Sequence, residues 1–491
     1  MPIPVPAISE RIADVMALDP AGPFVEYECR WYRWGDLAHT AEAVSAQIAP
    51  GTRVGILLRN RPAQLGLLVG LLRAGANVVT INPDRGVEWV RREVAGLDLP
   101  AIAAHPDDVE LTSAGAGAAL LTTADLGAPI EMTGAPRGRT SVPGVAVEML
   151  TSGTTGPPKR IPLSYDTLAR VLAGAKYYES KRNLAPSLRP GVAIINAPLV
   201  HLSGLFRVLQ CVVDGRSFCL LEKFAVDAWL DAVRRHRPVT VSLVPAALRS
   251  VLDADLDPAD LASLKSVFSG TAPLDPDDAD AFYLKYGVPV LTSYAATEFG
   301  GGVAGWTLGD HFKYWTEKRG SAGRAHPGCE LRVVDPETGE PVPADAEGQL
   351  EVKTRQLGDE SDWLRTTDLA RLDADGFLWI LGRSDQTIIR GGFKVQPETV
   401  RAALDRDPRV RDVAVVACPD ARLGAVPVAA VELRSSADAV TADELLAGAG
   451  SVLARYELPR EIRIVDSLPR TPSGKVDLLA VRALFDSPAE A

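Results

Sequence analysis

From residue 53 onward, the chain alternates short, near-continuous apolar runs with stretches whose apolar positions recur every three or four residues. The runs at 53–58, 192–195, 217–221, 239–243, 265–269 and 288–293 predict strands. A strand that is apolar on both sides of its pleat is covered on both faces. The stretches 62–73, 203–213, 226–236, 245–252 and 275–285 carry the helical period. Alternation of this kind predicts largely parallel α/β sheets. After about residue 320 the texture changes. Short strands at 330–335, 348–353, 370–372 and 377–381 are separated by Pro336-Glu-Thr-Gly339 and Asp373-Ala-Asp-Gly376. Turn sequences at that spacing predict a small antiparallel barrel or sheet.

A second change falls near Gly382-Arg-Ser-Asp385. Beyond it, Pro397 stands at the first position of a helix over 398–404. Strands follow at 412–417 and 426–433, then a helix over 442–455 and a strand over 461–465. That is enough for an independent α+β domain.

The 491 residues are 46% apolar and 23% charged, which excludes a disordered chain or a small disulfide scaffold. A net charge of −11 argues against generic nucleic-acid binding, because phosphate backbones need a positive surface. A nucleotide ligand needs only a few well-placed residues. The five cysteines are scattered without a CxxC pair, as expected of reduced thiols. No secretory signal or run of about 18 apolar residues is visible, so the expected location is cytoplasmic. Lysines are few, 11 among 52 basic residues, and none precedes Lys159. A lysine inside a glycine-rich loop therefore stands out.

The densest chemistry lies in Thr151-Ser152-Gly153-Thr154-Thr155-Gly156-Pro-Pro-Lys159, after a strand predicted over 145–150. Gly153 and Gly156 let backbone approach a ligand, and the hydroxyls of Thr151, Ser152, Thr154 and Thr155 can donate to phosphate oxygens. Lys159 adds positive charge. The string is not a Walker A loop, which needs GxxxxGK[ST] opening a helix.

This string closely resembles the phosphate loop of the adenylate-forming superfamily, which includes acyl-CoA synthetases, peptide-synthetase adenylation domains and beetle luciferases. Four more segments similar to that family's motifs follow in order: Tyr294-Ala-Ala-Thr-Glu298, Leu364-Arg-Thr-Thr-Asp368-Leu369, Gly382-Arg-Ser-Asp385 with Arg390-Gly-Gly-Phe393, and Pro469-Arg-Thr-Pro-Ser-Gly-Lys475. The resemblance implies an α/β fold in which residues 1–382 form a large domain of two doubly wound subdomains plus a small β-barrel. A hinge at 383–385 and a small mobile α+β domain over 386–491 follow.

The resemblance also implies roles. Tyr294, with Ala295 and Ala296, and the loop Ser269-Gly270-Thr271-Ala272-Pro273 border adenine. Thr297 and Glu298 stand at the phosphates, where Glu298 holds Mg²⁺, a carboxylate suiting a hard cation. Asp368 accepts from the ribose hydroxyls, Arg383 contacts ribose or phosphate, and Asp385 is the hinge residue. His201 borders the acid. Gly391, Gly392 and Phe393 border the path of the coenzyme A thiol. Lys475 is the expected catalytic lysine, its ammonium stabilising charge that builds on phosphorus oxygens and departing pyrophosphate.

Acid-pocket walls at 202–206, 244–247 and 299–302 are mostly apolar or small, which suggests a fatty, aryl or alicyclic acid. Arg207 is close by in sequence and offers a contact to a second polar group, although exposure on its helix is the plainer reading. Four residues depart from the family's pattern: Arg160, Tyr165, Ala295 and Thr367 stand where glycine or histidine is usual, a change expected to tighten the nucleotide site.

The implied activity is ATP-dependent ligation of a carboxylic acid to coenzyme A by a monomer or homodimer. The nearest alternative is an acyl-AMP ligase that loads a carrier protein, and a luciferase-like oxidation is more remote. A kinase or NTPase using the 151–159 loop would instead yield ADP and phosphate, and would leave Lys475 without work. A catalytically silent nucleotide binder is opposed by the intact set of charged motif residues.

Overall fold

The computed structural model describes residues 8–113, 115, 117–136, 144–151, 159–174, 185–359, 361–434, 440–471 and 475–485, with Thr151 described in its backbone only. Packing groups the chain into two compact units, one drawn from 1–151, 158–329 and 354–361, the other from 330–353 and 362–491.

In the first unit, a seven-stranded sheet runs in the order Glu131–Thr133, Ala119–Thr122, Ala101–Ala104, Arg53–Leu57, Asn77–Ile81, Val145–Thr151 and Lys159–Ser164. Its five inner strands are parallel and its two edges antiparallel. The helix Pro62–Arg73 starts on Pro62, whose missing N–H costs nothing at a first-turn position, and is buried from Pro62 to Leu72. Arg53 ties the sheet's centre together, donating from Nε and Nη2 to Glu148 at 2.9 and 2.7 Å, while Asn77 donates to the same carboxylate at 3.0 Å. Burial opposes ionisation of Glu148, but these bonds win and hold its carboxyl below the usual range.

A second sheet orders Arg189–Ile195, Arg216–Leu220, Pro23–Tyr27 and Arg30–Arg33. A third orders Thr240–Ser242, Ser266–Ser269, Val290–Ala296, Gly301–Gly305 and Arg324–Ala325, its first three strands parallel. Those three therefore end at one edge, where open α/β sheets collect ligands.

The second unit holds an antiparallel meander of Glu347–Thr354, Leu364–Leu372 and Leu378–Arg383. Its other sheet pairs Phe393–Val395, Ile388–Arg390, Gly424–Leu433 and Val410–Asp420, with Ile462–Val465 parallel to Gly424–Leu433. The meander is grouped in one compact unit with the residues after 386.

The predicted elements appear with two notable differences. The strand Pro23–Tyr27 lies before the residue where the sequence pattern becomes legible, yet it pairs in parallel with Arg216–Leu220. The helix expected over 442–455 ends at Ala449, because Gly448 and the capping Gly450 cost helix stability.

Candidate active site

Thr151 ends its strand and pairs in register with Lys159, which opens the antiparallel return strand. Ser152, Gly153, Thr154, Thr155, Gly156 and the Thr151 side chain lie outside the described residues. The base of this loop is braced by two of the residues that depart from the family's pattern. Half-buried Arg160 forms an ion pair with Glu93 and donates to the Thr80 carbonyl at 3.0 Å. Tyr165 donates to the carbonyls of Ala76 and Leu72, at 2.7 and 3.2 Å. Both side chains engage the body of the unit.

At the carboxyl edge of the parallel sheet, Ser269 and Thr292 are register partners, so the loops beginning at Ser269 and Tyr294 leave neighbouring strands together. Thr271 has φ of 72°. A β-branched residue in that region is strained, and such strain collects where a backbone must be aimed at a ligand. The Ser269 hydroxyl is buried without a hydrogen-bond partner among the described residues. At Gly270 a Cβ would stand 3.0 Å from Ser293 Oγ, so a side chain there would crowd the neighbouring strand. Ala272 and Pro273 complete this loop.

Half-buried Tyr294 sets its ring 5.7 Å from that of Phe299, so the core supports the aromatic from below. Ala295 is exposed and Ala296 ends the strand. Thr297 then opens a single helical turn that leaves Glu298 exposed. The chain reverses at Gly300, with φ of 78°, where a Cβ would meet Thr167 Cγ2 at 2.9 Å.

His201 caps the start of helix Leu202–Asp214, its N–H donating to the Pro198 carbonyl at 3.0 Å. Asn60, which sequence reasoning passed over, clamps this corner. Its Nδ2 donates to the carbonyls of Ala197 and Leu221 at 3.1 and 3.0 Å, and its Oδ1 accepts from Leu199 N–H at 2.8 Å. The only sequence signal was an asparagine placed between a buried strand and a proline-started helix.

In the second unit Asp368 and Arg383 face each other across adjacent strands. Arg383 donates from Nε and Nη2 to the two Asp385 oxygens, at 2.9 and 2.8 Å, and from Nη2 to Thr367 Oγ1 at 2.6 Å. Thr367, another departure, therefore helps hold Arg383. Gly391 and Gly392 both take positive φ, 57° and 92°, in the turn between two short strands. Exposed Phe393 stacks on Tyr456 with centroids 4.6 Å apart, and Arg390 fixes that partner by donating to the Tyr456 and Leu458 carbonyls. Lys475 is pinned through its backbone, its carbonyl accepting from Thr471 N–H at 2.7 Å, and the flanking residues Arg470 and Val476 pair.

The structure thus brings the 269–273 loop and the Tyr294–Glu298 residues together on one sheet edge, and Asp368, Arg383 and Asp385 together in the other unit. It also reveals a trio invisible in sequence spacing, Glu26, Cys219 and His236, whose potential metal-ligand atoms converge. Arg235 already meets the Glu26 charge, and burial pushes the Cys219 thiol up to about 11, which keeps it protonated and a poor metal ligand. Among the described residues no helix is long and apolar enough to cross a membrane.

Residues 14–359 match the model of the AMP-binding enzyme family, and residues 400–475 match that of the AMP-binding enzyme C-terminal domain. A feruloyl-CoA synthase of Amycolatopsis sp is 31% identical, over 90% of each chain. A sulfoacetate–CoA ligase of Cupriavidus necator is 31% identical, over 90% of this chain and 84% of the relative. ATP-bound MatB from Rhodopseudomonas palustris shares the fold, with a TM-score of 0.83 at 24% identity over 98% of this chain and 99% of that one. With both models matched in order along nearly the whole chain, this protein belongs to the AMP-binding enzyme family.

Proposed function

We propose that this enzyme is an ATP-dependent carboxylate–CoA ligase. The observation that carries the reading is the pair of loops at one carboxyl sheet edge, 269–273 with its strained Thr271 and 294–298 with its exposed carboxylate. A supported aromatic, an aimed backbone and a carboxylate at one edge suit a purine nucleotide.

In the first step a carboxylate oxygen attacks the α-phosphorus of ATP. The bond to the β-phosphate oxygen breaks, giving acyl-AMP and pyrophosphate. Thr151, Ser152, Gly153, Thr154, Thr155, Gly156 and Lys159 bind phosphate oxygens, and Tyr294–Ala296 with 269–273 hold adenine. Thr297 orients a phosphate oxygen. Glu298 would hold Mg²⁺, whose charge offsets that of the phosphates. Asp368 accepts from the ribose hydroxyls beside Arg383. Lys475 stabilises the charge that develops as pyrophosphate leaves. In the second step the coenzyme A thiol loses its proton and its sulfur attacks the acyl carbon, releasing AMP. Gly391, Gly392 and Phe393 border its approach, His201 borders the acid, and residues 383–385 serve as the hinge between the two steps. The names of the feruloyl and sulfoacetate relatives support coenzyme A as acceptor, and dependence on ATP and coenzyme A suits a cytoplasmic enzyme.

Product analysis with MgATP and a panel of acids, with and without coenzyme A, tests the reading. AMP and pyrophosphate, with acyl-CoA formed only when coenzyme A is present, are expected. ADP and phosphate would overturn it. Acyl-AMP that accumulates unchanged in the presence of coenzyme A would transfer the assignment to a carrier-protein ligase.

A further inference from the structure

Arg207 occupies a position that its place in a helix does not explain. The helix Leu202–Asp214 buries Gly204, Leu205, Val208, Leu209 and Val212 and leaves Ser203, Phe206, Arg207 and Gln210 on its open face. From that face the Arg207 side chain crosses to the parallel sheet instead of trailing into solvent. Its Nη2 donates to Ser242 Oγ at 2.6 Å, and its guanidinium lies 5.5 Å from the Phe268 ring centroid. Ser242 and Phe268 are register partners, Ser242 ends its strand, and Phe268 immediately precedes the 269–273 loop. The guanidinium therefore stands at the same sheet edge as the proposed nucleotide loops.

Several half-buried or buried arginines of this unit meet carboxylates: Arg53 with Glu148, Arg59 with Asp108, Arg160 with Glu93 and Arg249 with Asp278. Arg207 meets a hydroxyl and a ring, with no carboxylate among the described residues. The thiol of Cys211, one turn along the helix, is kept neutral by burial, which pushes it up to about 12, so it supplies no counter-charge. A guanidinium without a carboxylate partner keeps N–H donors free to receive an anionic ligand. The side chain is exposed, so these donors are accessible. Beyond Ser242 the chain leaves Val244 and Ala246 partly open, with buried residues between them.

We propose that Arg207 anchors a second anionic group, carboxylate or sulfonate, on the acid that this enzyme activates. The substrate class is then an acid with an apolar body and an anion remote from the reacting carboxylate. This rests on the ligase reading above and narrows its substrate from a simple hydrophobic acid. A planar guanidinium binds either oxyanion through paired N–H donors, and Ser242 holds one edge of the fork while the remaining donors stay open to a ligand.

The test compares matched acids that differ only at the far end: terephthalate and 4-sulfobenzoate against 4-methylbenzoate, and glutarate against butyrate. Initial rates are read as pyrophosphate release, with the unfolding temperature of each ligand mixture read in parallel. The dianionic member should be preferred in kcat/KM by about tenfold or more, the scale of a hydrogen bond to a charged group. Arg207→Gln should erase that preference chiefly through KM, Arg207→Lys should restore part of it, and Arg207→Glu should shift preference to 4-(aminomethyl)benzoate. A general folding role would lower all substrates together and would not produce that inversion. A wild-type preference for the neutral-ended acids, or a ratio unchanged in Arg207→Gln, would overturn the anchor. Pyrophosphate silence with every acid would count against the ligase reading. In that event the dianions must still raise the unfolding temperature of the wild type and not of Arg207→Gln, and their failure to do so overturns the anchor as well.

Discussion

Asn60 makes three hydrogen bonds from one buried side chain, and all three hold the corner that presents His201. Asn60→Ala would leave two buried carbonyls and one N–H without these partners. At about 1 to 3 kcal/mol for an unsatisfied buried group, a loss near 3 kcal/mol in urea unfolding is expected. It should be joined by a raised KM for the acid and little change in KM for ATP. Lys475 is a different kind of residue, held through its backbone and expected to act through its ammonium. Lys475→Ala should nearly abolish acyl-AMP formation while sparing thioester formation from supplied acyl-AMP, both followed by AMP and pyrophosphate analysis. Equal loss of both half-reactions would remove the role assigned to it. The motif residues were legible in the sequence because phosphate, adenine and a metal ion each demand particular side-chain chemistry at short spacing. Asn60 was not legible, because its three partners include residues 137 and 161 positions away.

Among the elements, the helix Leu202–Asp214 depends on Gly204 for its entry. A Cβ there would lie 2.2 Å from the Pro198 carbonyl oxygen, so backbone must move. Gly204→Ala, stabilising in an isolated helix, should here cost about 1 to 3 kcal/mol in thermal or urea unfolding, the range for an overpacked site. It should also disturb acid binding, because His201 and Arg207 ride on the same helix. Elements with local start signals matched their expected bounds. Pro62–Arg73 and Val226–His236 are helices over the residues their periodicity marks. The strand Pro23–Tyr27 has a pattern too short to stand alone, and its hairpin turns through Glu28 and Cys29, both at positive φ, without the glycine that would announce it. Its pairing with Arg216–Leu220 is what makes it a strand.

At the scale of the first unit, buried His311 and half-buried His326 set a pH dependence. His326 fits against Gly302 and Gly305, where a Cβ at Gly305 would come within 2.8 Å of its ring, and burial lowers its pKa. His311 sits among Trp306, Trp315, Tyr283 and Phe312, and burial lowers its pKa against the opposing pull of Asp280. Each imidazole takes its proton more readily in the unfolded chain. Their contribution to stability is therefore complete above about pH 6.5, the ordinary histidine value, and is lost as pH falls from there towards the lowered folded values. Unfolding midpoints measured from about pH 7.5 to 5 should fall across that window, and His326→Gln should flatten the fall.

By itself the sequence determined the α/β class, the succession of strands and helices, and the motif chemistry of the family, since each follows from local periodicity or from residue types within a few positions. The tertiary structure decided what depends on distant partners. It pinned the His201 corner with Asn60, turned Arg160 and Tyr165 into the body of the unit, and carried Arg207 across to Ser242. The physical reason is the same in each case. The free energy of a buried polar or charged group depends on which partner the fold brings to it, and no local pattern encodes that partner.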